Sequence, residues 1–351
     1  MHNAIRSMLL ILALLFGSRS FAEEASSPKP ASREAVIDAV QRGLTLLEKG
    51  ARNYPDHHDC FACHHQTLPL AAMLEARRIG LKIDEPLFVQ TAEIVRSYFA
   101  RHADEMSLGQ GVPGQAFMVA YGAWSFELAD RELPIELRDV MAKFIIQKQE
   151  SDGRWHPASF RPPAEQSDVM NTVLTLRVLK PKDSARPFDD DAEWRVTAEA
   201  TERLAMTWLS ETPPKLQEDF VARLWSLKWF GDDANQRAGL VRKIVDRQQA
   251  DGGWAAEDHL SSEAYSTGLT LFALLDTGEP PTSAPITRGL AYLLKTQHAD
   301  GSWFVATRAK PVQVFFDNGD PHGKNQFISI TATGWSVATL ARSLGKMDGS
   351  N

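Results

Sequence analysis

Two kinds of helical segment alternate along most of the chain. In the first kind, apolar residues recur every three or four positions among charged ones, which predicts helices with one buried face. These segments run over 34–49, 86–101, 134–148, 192–210, 234–249 and 284–297. The second kind has an uncharged middle, which predicts helices that are buried on all sides. These segments run over 66–79, 114–129, 166–179, 216–230, 262–276 and 328–343. Segment 216–230 is the exception, because it carries four charged residues: Glu218, Asp219, Arg223 and Lys228.

A short motif, Q-x-x-D-G-x-W, repeats along the chain. It begins at Gln149, Gln248 and Gln297, so the last two copies are 49 residues apart and the first two are 99 apart. A period near 49 residues corresponds to one pair of helices, and internal repeats of this length are typical of repeat architectures. Six pairs that alternate half-exposed and fully buried helices predict two concentric rings. We therefore expect an all-α, closed (α/α)6 toroid over residues 34–345.

The last copy carries a resemblance to a known superfamily. The run Arg288-Gly289…Tyr292-Leu293…Gln297…Gly301-Ser302-Trp303 resembles the QW motif of squalene and hopene cyclases, and is similar to the repeats of protein prenyltransferases. The resemblance covers about 34–345 and implies the same toroid. It also implies that the QW residues brace the ends of the outer helices rather than act in catalysis: Gln149, Trp155, Gln248, Trp254, Gln297 and Trp303. One fold can carry many activities, so the motif predicts structure more strongly than chemistry.

The resemblance also draws attention to one inner helix. In class II terpene cyclases a D-x-D-D-T-A motif opens an inner helix, and its middle Asp protonates the alkene. The corresponding stretch here is Asp168-Val-Met-Asn-Thr-Val173, with Met170 at the middle position and Asn171 at the third. A thioether cannot donate a proton, so we expect no class II cyclase activity. Asp168 is retained as a candidate catalytic residue.

The start of the chain has the pattern of a secretory signal peptide. Residues 1–22 contain Arg6, an apolar run over 8–17 and small residues at Ser20 and Ala22. We expect cleavage there, a flexible leader over 23–33, a tail over 346–351, and a periplasmic or secreted protein without a transmembrane helix. Beyond residue 22 the chain has 36 basic and 45 acidic residues, so we expect no nucleic-acid partner.

The sharpest chemical signal is a cluster of cysteines and histidines. Both cysteines of the chain lie in Cys60-x-x-Cys63-His64, which matches the attachment motif of c-type haem. In such a site the two thiols add to the haem vinyl groups and the adjacent histidine binds the iron. The sequence therefore predicts haem c, with His64 as the proximal ligand and a role in electron transfer to a redox partner or in redox sensing.

Three other readings of this cluster remain open. Cys60, Cys63, His64 and His65 could hold Zn²⁺. The two cysteines could form a disulfide outside the cytosol. Cys63 and Gln66 have the C-x-x-Q spacing of an internal thioester. In each case Cys63 is predicted at the start of an inner helix, where a thiolate is favoured.

Loop lengths predict the working end of the toroid. The loops within pairs are long (50–65, 102–113, 149–165, 250–261 and 298–327), whereas those between pairs are short, so the long loops and the N-termini of the inner helices share one end. The last loop offers Arg308 and Lys324 as partners for haem propionates or an anionic ligand, and His322 as a second axial ligand, zinc ligand or catalytic base. The alternative function is a toroid enzyme, or a lipid- or isoprenoid-binding protein, with a small apolar or anionic ligand at this mouth.

Overall fold

The computed structural model describes residues 31–129, 133–181, 185–231, 233–310 and 314–347; the expected signal peptide lies outside them. Their architecture is all-helical, and the one β-bridge among them joins Arg161 and Glu165. The α-helices are α1 (Arg33–Asn53), α2 (Thr67–Arg78), α3 (Glu85–Arg101), α4 (Ala103–Ser107), α5 (Gln115–Leu128), α6 (Ile135–Gln147), α7 (Asp168–Leu179), α8 (Ala192–Glu211), α9 (Gln217–Phe230), α10 (Ala234–Asp246), α11 (Ala264–Asp276), α12 (Ala284–Thr296) and α13 (Gln326–Met347). Short 3-10 turns cover Tyr54–Asp56 and Gly323–Asn325.

Six of these helices form a closed inner ring. Helices α2, α5, α7, α9, α11 and α13 each contact the next, and α13 returns to contact α2. Their burial follows from their composition, since α11 buries every residue from Ala264 to Leu275. Where the ring closes, Arg342 of α13 is paired with Glu75 of α2 at 2.6 Å and with Asp276 of α11 at 2.5 Å. The predicted (α/α)6 toroid is confirmed.

The outer helices pack behind the inner ring and bury one face each. Helix α1 lies against α13 and α2, α10 against α9, and α12 against α11. Helix α10 has a single fully buried residue, Ile244, among charged and polar neighbours, as an amphipathic outer helix requires. None of the described helices combines the length and the apolar character that a bilayer crossing needs.

The repeated glutamine and tryptophan join the two rings. Trp303 is fully buried: its indole Nε1 donates to the Leu293 carbonyl of α12 at 2.8 Å, and its backbone N–H donates to the Thr333 hydroxyl of α13 at 3.2 Å. The Gln297 amide donates to the Ala39 carbonyl of α1 at 2.8 Å, which links the last outer helix to the first. Trp155 and Trp254 repeat the indole contact with the helix before them.

Gly301 shows why this motif contains glycine. Its φ is +90°, and a Cβ at this position would lie 2.4 Å from the carbonyl oxygen of Arg42. The turn therefore needs both the left-handed conformation and the missing side chain, so that the loop can approach α1.

The helix boundaries differ from the predicted ones mainly at loops. Helix α1 continues to Asn53 and into a 3-10 turn, which shortens the loop expected over 50–65. A five-residue helix, α4, occupies the start of the loop expected over 102–113. Helix α10 ends at Asp246 rather than 249, and α13 starts at Gln326 rather than 328.

Candidate functional site

A cavity of about 440 Å³ opens at the end of the toroid where the inner helices begin. This is the end that the long loops predicted. Its walls come from the loop before α2, from α5, from the loop before α7, from α11, and from the last long loop with α13. The lining residues are Cys63, His64, Leu68, Phe117, Tyr121, Arg161, Pro162, Ala164, Glu165, Tyr265, Thr307, Ala309, Lys310, Phe315, Lys324, Phe327, Ile328 and Thr331.

The wall combines apolar surface with cations. Aromatic and aliphatic side chains provide most of it, whereas Lys310 and Lys324 are exposed residues that also line the cavity. Arg161 is fixed in place because its Nε donates to Glu165 Oε2 at 2.8 Å and its Nη2 pairs with the other carboxylate oxygen. Such a surface suits a ligand with an apolar body and a negative group.

Cys63 and His64 form part of this wall. Burial raises the pKa of the Cys63 thiol to about 12, with the Glu165 charge adding to the effect. The expected thiolate is therefore wrong: Cys63 lies four residues before α2 begins at Thr67, and loss of water outweighs the helix end. Burial, with Arg161 and His58 nearby, lowers the pKa of His64 to about 3, so the ring is neutral. Its Nε2 atom is buried and has no hydrogen-bond partner among the described residues.

The side chains of Cys60 and His65 contact residues that do not line the cavity. The Cys60 sulfur lies 3.1 Å from the Tyr54 hydroxyl, and neither atom belongs to the cavity wall. The fully buried His65 ring stacks on Tyr54 and shares a 3.0 Å contact with the Asn318 amide. Both cysteines are free thiols. Within the part of the chain that the structure describes, no three His, Cys, Asp or Glu side chains are grouped to hold a metal ion.

Three other predicted residues are engaged outside the cavity lining. The Asp168 carboxylate contacts His156 Nδ1 at 2.6 Å at the start of α7. Arg308 is paired with Glu263 at 2.9 Å, although its neighbours Thr307, Ala309 and Lys310 line the cavity. His322 Nε2 contacts the Ser302 hydroxyl at 2.9 Å. The structure thus brings Cys63, His64 and Lys324 together at one cavity and places Cys60, Asp168, Arg308 and His322 elsewhere.

The structure also reveals an acid that the sequence analysis did not select. Glu218, in the first turn of α9, accepts a hydrogen bond from the Tyr265 hydroxyl at 2.9 Å, and Tyr265 lines the cavity. The second carboxyl oxygen of Glu218 is buried without a hydrogen-bond partner among the described residues. Burial raises the pKa of Glu218 well above its usual range; the Tyr265 hydrogen bond opposes this, and the charges of Asp219, Glu165 and Glu263 add to it.

A signal for Glu218 was present in the sequence. Segment 216–230 was the exception among the inner segments because its middle carries charged residues, and Glu218 is only 5% exposed. A charged residue type at a buried position usually has a partner or a function. Its pairing with Tyr265, 47 residues further on, could not be read from the spacing.

Comparison with known proteins supports the fold. Over 72 residues, one fifth of this chain, the sequence is 39% identical to an ent-copalyl diphosphate synthase from Streptomyces sp. (strain KO-3988), and the match spans only 14% of that enzyme. A search against protein-family models found no match.

Solved structures with the same architecture cover most of the chain. The type II terpene cyclase MstE from Scytonema aligns with 89% of this chain and 99% of its own, with a TM-score of 0.52 and 12% identity. A glycosidase aligns with 89% of this chain and 98% of its own, with a TM-score of 0.55 and 12% identity. The chain is therefore a toroid like those of terpene cyclases and glycosidases. At this identity the likeness shows the fold alone.

Proposed function

We propose that the cavity at the toroid mouth binds an apolar molecule that carries an anionic group. The observation that carries this proposal is the composition of the cavity wall: aromatic surface from Phe117, Phe315 and Phe327 beside the cationic Lys310 and Lys324. Apolar enclosure supplies affinity, and a few placed charges orient the ligand. MstE was solved as a variant with geranylgeranyl dihydroxybenzoate, an isoprenoid chain joined to a benzoate, which belongs to the same class of molecule.

The cations give this proposal a direct test. Replacing both Lys310 and Lys324 by methionine is expected to weaken the binding of palmitate by about threefold to tenfold, because each exposed ion contact contributes a fraction of a kcal/mol to about 1 kcal/mol. Hexadecanol, which has no charge, should be bound equally by the variant and the original protein. Binding is measured by titration calorimetry or by displacement of a fluorescent fatty acid.

Two control variants make the result specific. Lys243 lies in another groove, between α8, α9 and α10, so Lys243→Met should leave palmitate binding unchanged. Ala309→Trp places a large side chain in the cavity wall and should weaken the binding of both ligands. If palmitate binds equally well to the Ala309→Trp protein, its site is elsewhere and the proposal fails.

A second candidate function is covalent haem c at Cys60, Cys63 and His64. It is favoured by one observation, the buried His64 Nε2 atom without a partner at the cavity wall. Cys63 and Cys60 would hold the group through thioether bonds, His64 would be its iron ligand, and Lys324 is the cation of the same cavity wall; the Cys60 sulfur, which contacts the Tyr54 hydroxyl, would have to turn towards the cavity. Bound haem would supply one-electron redox chemistry, and the attachment requires the export that residues 1–22 predict.

This candidate predicts haem that cannot be washed out. Protein expressed with haem c maturation factors should keep its pyridine haemochrome spectrum after acid-acetone extraction, and Cys63→Ser should lose the stable attachment at that thiol. His64→Ala, which removes the expected iron ligand, should change the haem spectrum, and His156→Ala, on an exposed loop, is its matched control. A colourless extracted protein with about one zinc per chain indicates the zinc site instead. If neither is found, intact mass separates a disulfide, lighter by two hydrogens, from a thioester, lighter by one ammonia.

A further inference from the structure

The cavity wall contains two buried tyrosines in addition to its two exposed lysines. Tyr121 of α5 and Tyr265 of α11 line it, and Glu218 of α9 lies behind Tyr265. Tyr265 donates its hydroxyl hydrogen to Glu218 Oε1 at 2.9 Å, which leaves the tyrosine oxygen able to accept. We call Tyr121, Tyr265 and Glu218 the floor group.

The floor group is polar but uncharged. Burial raises the pKa of Glu218 and of both tyrosines well above their usual ranges. A neutral carboxyl carries a hydrogen that it can donate, and the second oxygen of Glu218 is buried with no partner among the described residues. Glu218 itself does not line the cavity, so a ligand would reach it only through its hydrogen-bond partner Tyr265, which does.

We propose that the floor group is a hydrogen-bonding subsite for an uncharged oxygen of the ligand, a hydroxyl or a carbonyl. This inference rests on the proposed function, because it concerns the same cavity. The ligand class is then an apolar molecule with two different ends: an anionic group at Lys310 and Lys324, and a neutral oxygen at the floor. A carboxylate at the floor is disfavoured, because the Arg161 cation in the cavity wall is already paired with Glu165, and the Glu165 charge that acts on Tyr121 and Glu218 would repel a second anion.

The proposal predicts a preference that can be measured with paired ligands. Fatty acids from hexanoate to palmitate are compared with the ω-hydroxy acids of the same length, by titration calorimetry on the full chain. At the length that spans the cavity, the ω-hydroxy acid is expected to bind about tenfold or more tightly, because the plain acid leaves the floor group unpaired. Tyr121→Phe and Tyr265→Phe should each reduce this preference. Tyr292→Phe, on the outer helix α12, should not.

Infrared spectroscopy gives a readout that does not depend on affinity. The neutral Glu218 carboxyl should give a carbonyl band above the amide region, and Glu218→Gln should remove it. Binding of the preferred ω-hydroxy acid should shift this band, whereas binding of the plain acid should leave it in place. A preference that is absent, or that survives both tyrosine substitutions, overturns the floor subsite while the proposed function stands. If no acid of either series binds, the proposed function itself is overturned.

Discussion

Replacing Trp303 by alanine is expected to lower the free energy of unfolding by about 3–5 kcal/mol, as measured by urea denaturation. The indole is fully buried and its Nε1 atom satisfies the Leu293 carbonyl near the end of α12. Its removal leaves a cavity and an unpaired carbonyl at the point where the last pair of helices meets the first. The loss should also weaken the packing of the Gly301 turn against α1, because the indole lies beside Gly43 of that helix.

Two further substitutions decide whether this effect is specific. Phe304→Ala, at the next position, removes a ring that is 46% exposed and should change stability by much less. Trp303→Phe keeps an aromatic ring and loses mainly the indole hydrogen bond, which contributes about 1 kcal/mol. Its stability therefore tests the contact between the last and the first pair of helices even if the alanine variant does not fold. A Trp303→Ala protein as stable as Phe304→Ala would contradict the structural role of the motif.

The fold was predictable because its determinants are local and repeated. Each Gln–Trp motif sets the turn after one outer helix, and the 49-residue spacing between Gln248 and Gln297 reveals the unit of two helices. Closure was predictable from the number of pairs. The particular contacts that close the rings, Gln297 to Ala39 and Arg342 to Glu75, join distant parts of the chain and became visible only in the structure.

The candidate site was predictable only in part. Loop lengths selected the end of the toroid where the cavity opens, and Cys63, His64 and Lys324 share that cavity. Arg308 was selected as a partner for an anionic group, and the structure pairs it with Glu263 at the start of α11, outside the cavity lining. His322 was placed in the right loop, but its Nε2 atom faces Ser302 in the last QW turn. Side-chain direction in a long loop depends on such contacts, which sequence spacing does not encode.

Replacing Glu218 by glutamine is expected to change how stability depends on pH. The folded-state pKa of Glu218 is raised. Below the unfolded-state pKa, both states hold the proton, so the contribution of Glu218 to the stability of the folded protein is fully present. As pH rises above the unfolded-state pKa, the unfolded chain releases this proton, whereas the folded protein keeps it until the pH reaches the raised folded-state pKa. Glu218 therefore lowers the stability of the original protein by about 1.4 kcal/mol per pH unit over that range. Glutamine cannot ionise, so the variant lacks this loss. Urea denaturation of both proteins at several pH values measures the difference.

The sign of this difference in stability between the two proteins shows whether Glu218 is protonated or ionised in the folded protein. If Glu218 were ionised and stabilised by its hydrogen bond to Tyr265, its folded-state pKa would be depressed, and the original protein would gain stability over the variant as pH rises through the acid range. Glu211→Gln, at the exposed end of α8, is the matched control for the substitution. Parallel curves for Glu218→Gln and the original protein would show that the carboxyl ionises as it does in the unfolded chain. In that case the floor of the cavity would be charged at neutral pH, and it would repel an anionic ligand rather than bind its neutral end.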